Sequence, residues 1–203
     1  MYNARIPDYT ELVGNGEPEW QGLYPGATEE SDREWNPKPR GREVVSTYVD
    51  ADHARDEATT RRSVMGVLIF WNCTPICWYS KRQATVESST YSSELVAARI
   101  ATEMVLEMRI MLRALGIPVN GLSYLFGDDL SVVTNTTIPS SMLKKKHNAI
   151  SYHRVREAVA ETCTQDVPTV NSNPMATEDR DGLEWIFQWE WMSCTRLMIV
   201  YSL

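Results

Sequence analysis

The apolar positions of this chain form short β-branched or aromatic runs in its first half and follow a helical period afterwards. VVSTYVDA (44–51), SVMGVLIFWN (63–72) and PICWYSKR (75–82) are separated by polar or turn residues, with the tight connection NCTP between the last two. Such runs predict three strands in an antiparallel meander. After QATVESST, Leu95, Ala98, Thr102, Val105, Met108, Leu112 and Leu115 recur at three- and four-residue steps, and Gly116 and Pro118 mark the stop. This predicts a long amphipathic helix. LSYLFGDD (122–129) reads as a fully buried strand ending in two acids, LSVVTNT opens a short helix, and the loop SSMLKKKHN leads into the helical ISYHRVREAVAE.

The flanks are different. Residues 1–43 are rich in Pro, Gly and acids, with Trp20, Tyr24 and Trp35 as isolated anchors, and read as an irregular acidic linker. Residues 161–203 begin polar and turn-rich and end in LEWIFQWEWMSCTRLMIVYSL, which has no clean period. The expected division is a linker at 1–43, one domain at 44–160, and a tail at 161–203 that is disordered or poorly packed.

Composition narrows the class. With 203 residues and 43% hydrophobic content, one well-buried domain is expected. No window approaches the roughly 18 consecutive apolar residues of a membrane span, and the N-terminus lacks the build of a signal peptide. The expectation is a soluble intracellular protein, neither membrane-bound nor secreted. Cys73, Cys77, Cys163 and Cys194 are too scattered for a disulfide framework, and the first pair lacks a second Cys/His pair at zinc spacing. They are read as buried free thiols. The net charge is -7, but residues 44–160 carry 11 acids and 13 bases, against 9 and 5 before them and 7 and 2 after. A mildly basic middle between acidic ends could carry a phosphate-binding face.

Three acids occupy notable places in this order: Asp50 on the first strand, Glu94 in the first turn of the long helix, and Asp128 at the end of the fourth strand. In a layered α/β domain the first and fourth strands can be neighbours, and a helix on the sheet can bring its carboxylate to theirs. Such a cluster repels itself unless cations neutralise it, and oxygen-rich sites suit Mg²⁺ or Mn²⁺. Each acid also has a structural reading. Glu94 suits a helix dipole, and Asp128 and Asp129 suit a strand end or a helix cap.

Six motifs occur in order over residues 46–160: TYVDAD, RRSVMG, ICWYSKRQ, SSTYSSELVAA, LFGDDLS and KHNAISYHRVRE. Together they resemble the ribonuclease H domain at the C-terminal end of copia-type LTR retrotransposon polyproteins, and EWQGLYPGATEE resembles the linker that precedes that domain in some elements. The resemblance implies a ribonuclease H-like α/β fold with a three-strand antiparallel meander, a parallel strand and flanking helices. It also implies hydrolysis of the RNA strand of an RNA–DNA hybrid with two Mg²⁺ or Mn²⁺ ions, beside the reverse transcriptase region of the same polyprotein. The implied setting is cytoplasmic, in a virus-like particle, or nuclear.

Carried over by motif, Asp50, Glu94 and Asp128 are the catalytic, metal-holding carboxylates, and Asp52 is a neighbour without a metal role. Ser80, Lys81, Arg82, Lys144, Lys145 and Lys146 would contact phosphates. His147 and His153 are read as packing or hydrogen-bonding residues, and Trp71, Trp78 and Tyr79 as sheet packing. Two departures stand out. Asp129 replaces an Asn common in the family. The family's last strand and its D-x-L-T-K motif, which supplies a fourth carboxylate, do not follow Ala160; none of Asp166, Asp179 and Asp181 has the expected surroundings. The loss of pattern looks like a frameshift or a splice into foreign sequence, which leaves the last strand and helix atypical or missing. The alternative function is a non-catalytic relic, or a nucleic-acid-binding module that keeps the fold; a protein–protein scaffold is a third reading.

Overall fold

The computed structural model describes residues 19–27, 44–54, 60–119, 122–163 and 199–202. Most of the lead-in, including Trp35, and residues 164–198, with Asp166, Asp179 and Asp181, lie outside the described residues. Strands β1 (Val45–Asp52), β2 (Val64–Trp71) and β3 (Thr74–Arg82) form the antiparallel meander, and β4 (Ser123–Gly127) runs parallel to β1 on its other side. Helices α2 (Thr90–Ala114), α3 (Leu130–Thr137) and α4 (Ala149–Cys163) flank the sheet, and a short α1 (Glu19–Leu23) precedes it. This is a ribonuclease H-like α/β arrangement. The closing strand is atypical: β5 (Ile199–Ser202) comes from the tail and pairs antiparallel with β4, giving the order β3-β2-β1-β4-β5.

The strands follow from their alternation. In β1, Val45, Thr47, Val49 and Ala51 are buried on one face, whereas Asp50 and Asp52 are exposed on the other. Asn72 sets the hairpin between β2 and β3: it adopts φ +54, which Asn tolerates better than most residues. Its backbone N–H donates to the Val44 carbonyl at 2.7 Å and its Oδ1 accepts from the Val44 N–H at 2.9 Å, so the turn also pins the start of β1.

The face of Val49, Ala51, Met65, Val67 and Ile69 packs against α2 through Leu95, Ala98, Ala101 and Val105. A fully buried side chain such as Ile69 contributes roughly 1.5–3 kcal/mol. Ser89 N-caps α2, its side chain accepting from the Ser92 N–H. The helix ends in a Schellman motif, with Gly116 at φ +75 and the Ile117 N–H donating to the Leu112 carbonyl. Two stripe positions differ from expectation. Arg109, not Met108, is the buried residue and donates to Ser123 Oγ at 2.8 Å, because steps of 4, 3, 4 and 3 from Ala98 arrive at 109 and 112. Leu115 is exposed because the helix has already ended at Ala114.

The lead-in is less irregular than its composition suggests. Trp20 on α1 is 3% exposed and belongs to the main core. The guanidinium of Arg156, from the motif YHRVRE, lies 4.7 Å from the Trp20 ring centroid and 4.9 Å from that of Tyr152. It donates to the carbonyls of Asn135, Ile138 and Pro139 at the C-terminal end of α3. One buried cation thus joins α1, α3 and α4, at the helix end whose carbonyls carry the partial negative charge.

Candidate metal centre

Because β1 and β4 are parallel, their C-terminal ends lie at the same end of the sheet. Their last paired residues are Tyr48 and Phe126, so two residues further on Asp128 comes level with Asp50. Beyond this pair β4 no longer flanks β1, which leaves the Ala51 N–H available on that side. Glu94 Oε1 accepts from it at 3.1 Å. One carboxylate oxygen from each of Asp50, Glu94 and Asp128 lies within 4.8 Å of the others, a group that could hold a metal ion. Asp50 is exposed; Glu94 and Asp128 are half-buried.

Helix α2 starts at Thr90, so Glu94 sits in its second turn, and no acid occupies the first. This corrects the first-turn placement. It also removes the helix dipole as an explanation for the glutamate, since that effect fades within one turn. The Glu94 carboxyl is instead in an unfavourable place for a charge. Burial, then the negative charges of Asp50, Asp128 and Asp129, push its pKa up to about 8, while the Ala51 N–H pulls the other way. Without a cation the site retains a proton near neutral pH; a divalent ion would replace it.

The polar run before Glu94 holds that helix end in place. Ser93 Oγ lies 3.2 Å from His53 Nδ1, and the Ser93 carbonyl accepts from the buried Gln83 Nε2 at 2.8 Å. Asn148 donates to Ser92 Oγ and Lys145 Nζ to Ser89 Oγ, each at 3.0 Å. Sequence reasoning missed His53 and Gln83 in this role. The cue available was the density of hydroxyls in SSTYSSE, which asks for partners once buried.

The other expected site residues surround the acids. Ser80, Lys81 and Arg82 are exposed at the C-terminal end of the edge strand β3, and Lys144, Lys145 and Lys146 are exposed beside the start of α2. Asp52 lies outside the acid group. His147 is exposed in a 3-10 turn, and His153 Nδ1 lies 2.8 Å from Tyr24 OH; neither joins the acids. Among the described residues the acid group contains three carboxylates and no fourth. Two packing expectations are corrected. Trp71 and Tyr79 lean on the core, but Trp78 is 77% exposed; Cys73 is exposed in the hairpin turn and Cys77 half-buried. Trp78 alternates with Tyr79 and so points to the sheet face turned away from α2, while Cys73 lies in the turn and Cys77 on the edge strand, which α2, lying across β1, covers only in part.

Asp129 has a structural role: its Oδ1 accepts from the N–H groups of Ser131 at 2.7 Å and Val132 at 3.2 Å, capping α3. Asp129→Ala should therefore lower stability by about 1 kcal/mol, whereas Asp129→Asn, which can cap equally well, should stay within a few tenths of that of the unmutated chain. Urea unfolding of the two variants checks this. An equal loss in both would mean that the negative charge, and not the cap, is what matters.

A scan against protein-family models finds no match to this chain. Among the described residues, no helix is long and apolar enough to cross a membrane.

Proposed function

We propose that this chain is a retrotransposon-derived ribonuclease H-like domain of copia type that hydrolyses the RNA strand of RNA–DNA hybrids. The observation that carries the reading is the meeting of Asp50, Glu94 and Asp128 at the shared end of two parallel strands. Three carboxylates brought that close without a histidine or cysteine among them suit hard divalent cations such as Mg²⁺ or Mn²⁺. A pair of such ions, when bound, supplies activation of a water and stabilisation of the leaving oxygen. The chain's own part is to hold the ligands. The Ala51 N–H orients Glu94, and the serine contacts with His53, Gln83 and Asn148 keep that turn of α2 against β1. Lys144, Lys145 and Lys146 on one side and Ser80, Lys81 and Arg82 on the other hold phosphates of the strand. In this reading the domain acts beside a reverse transcriptase region of the same polyprotein, in the cytoplasm or the nucleus.

A second reading, a non-catalytic relic that binds nucleic acid, is favoured by the sequence after Ala160, which lacks the D-x-L-T-K motif that the resemblance leads one to expect for a fourth carboxylate. Incubating end-labelled hybrid with the protein in Mg²⁺, Mn²⁺ or EDTA separates the two. The nuclease reading expects cleavage of the RNA strand only, in either metal and not in EDTA. Cleavage that survives EDTA overturns it. Salt-sensitive hybrid binding without product in either metal establishes the relic.

A further inference from the structure

The face of the sheet turned away from α2 carries a feature that the acid cluster does not account for. Asp50 pairs with Gly66 and Gly66 with Ser80, so these three form one row across β1, β2 and β3 and point to the same face. The next row on that face is Tyr48, Leu68 and Trp78. Gly66 leaves the row beside Asp50 bare: a Cβ built there would meet nothing within 4 Å. Past this gap stands Trp78, a large apolar ring 77% exposed on the outermost strand. With Tyr48 and Leu68, both partly exposed, in the same row, the indole makes a continuous apolar strip on this face, and a contiguous exposed strip of this kind marks a contact surface.

The charges around it indicate which partner. Lys81 and Arg82 follow on the same strand, and Arg61 and Arg62, both exposed, precede β2 at the end where Val64 pairs with Arg82. Among the described residues Asp52 is level with Val64. By alternation Arg82 shares the face of Ser80 and Trp78, and with Lys81, Arg61 and Arg62 it makes this end of the edge basic; a basic edge along a face that also bears an exposed indole suits a phosphate backbone and a base better than an apolar protein surface. A base inside a duplex has both faces covered, whereas an unpaired one offers a free face to the indole.

We propose that Trp78 is a stacking platform for an unpaired nucleotide flanking the hybrid, with the strand running from the acid cluster over Gly66 and Ser80. This rests on the reading of that cluster as a nuclease centre. Two strand spacings of about 4.8 Å and two residues of about 3.4 Å place Trp78 roughly 12 Å from Asp50. At about 3.4 Å per nucleotide, the stacked base lies about three to four steps from the bond at the acids. Trp78 is then a specificity-determining residue that measures the cut from the junction between paired and unpaired nucleic acid.

The test uses the full chain and two short hybrids of equal paired length, one blunt and one with an unpaired tail at either end of the RNA strand. Binding is measured by fluorescence anisotropy in Ca²⁺ for the unmutated protein, Trp78→Ala and Trp78→Phe. Trp78→Ala should weaken binding of the tailed hybrid by about 5- to 150-fold, the range that loss of one base–aromatic stack produces, and change blunt binding less than about 2-fold. Trp78→Phe should keep most of the tail preference. Equal losses on both hybrids, or no loss on either, overturn the proposal. In Mg²⁺, cuts on the tailed hybrid should fall about three to four nucleotides from the junction and scatter in Trp78→Ala. Tail-dependent binding through Trp78 without any cleavage would sink the nuclease reading alone. Cleavage with Trp78→Ala indistinguishable from the unmutated protein would sink this proposal alone.

Discussion

Asp50→Asn and Glu94→Gln should each reduce metal-dependent hybrid cleavage by more than the 10- to 100-fold that loss of an outer-shell partner typically costs, because each removes a carboxylate of the cluster itself. Asp52→Asn, two residues along the same strand and outside the cluster, should change the rate by less than a few-fold. The contrast makes the experiment informative, since both aspartates are exposed and end the same strand. Stability should move the other way. Asp50 is one of the charges that penalise ionised Glu94, so Asp50→Asn relieves repulsion and should leave the metal-free protein as stable as the unmutated chain or more so. Single-turnover cleavage with thermal melts in EDTA reads both quantities. If Asp50→Asn and Asp52→Asn lost activity equally, the cluster would not be the reacting centre.

The metal-free protein should lose stability as the pH rises from about 5 to about 8. The folded Glu94 keeps its proton up to about 8, against 4.5 for the free side chain. Between those values the folded state therefore binds more protons than the unfolded chain, and stability falls with pH. The Glu94 contribution is fully present below about 4.5 and is lost as the pH passes through about 8. At ~1.4 kcal/mol per unit the interval corresponds to a few kcal/mol, or several degrees in melting temperature. Mg²⁺ or Mn²⁺ should reverse the loss. A cation competes with the Glu94 proton, so the metal-induced rise in melting temperature should be larger at pH 8 than at pH 5. Glu94→Gln should flatten the pH dependence in EDTA and diminish the metal response. Melts in EDTA and in Mg²⁺ across this range test it, and an equal metal shift at pH 5 and pH 8 would mean that no proton is displaced.

Much of the architecture is local and was legible. Short β-branched or aromatic runs between turn residues placed β1, β2 and β3, and the three- and four-residue period placed α2. Gly116 was readable as a stop because a left-handed residue is needed there. Once β1 is a strand, Asp50 and Asp52 must share a face, since residues two apart on a strand do. Other features depend on partners that local pattern does not name. Trp20 looks like a lone anchor in an acidic stretch until Arg156 and α4 come beside it. Trp78 and Tyr79 are adjacent and similar in kind; alternation along β3 puts them on opposite faces, and only the packing of α2 on one of those faces leaves Tyr79 leaning on the core and Trp78 exposed.

The acids divide in the same way. By itself the sequence determined which carboxylates stand at strand and helix ends, because side-chain period and capping act over a few residues. Tertiary structure decided which of them meet. Parallel pairing of β1 with β4 brings Asp128 level with Asp50, and the end of β4 frees the Ala51 N–H that draws in Glu94. Asp129, next to Asp128, is turned instead to the N–H groups of α3, and Asp52 stays outside the group. The physical reason is that burial and mutual repulsion depend on distances through space, set by strand order and helix packing, and these raise the Glu94 pKa even though its sequence neighbours, Ser93 and Leu95, carry no charge.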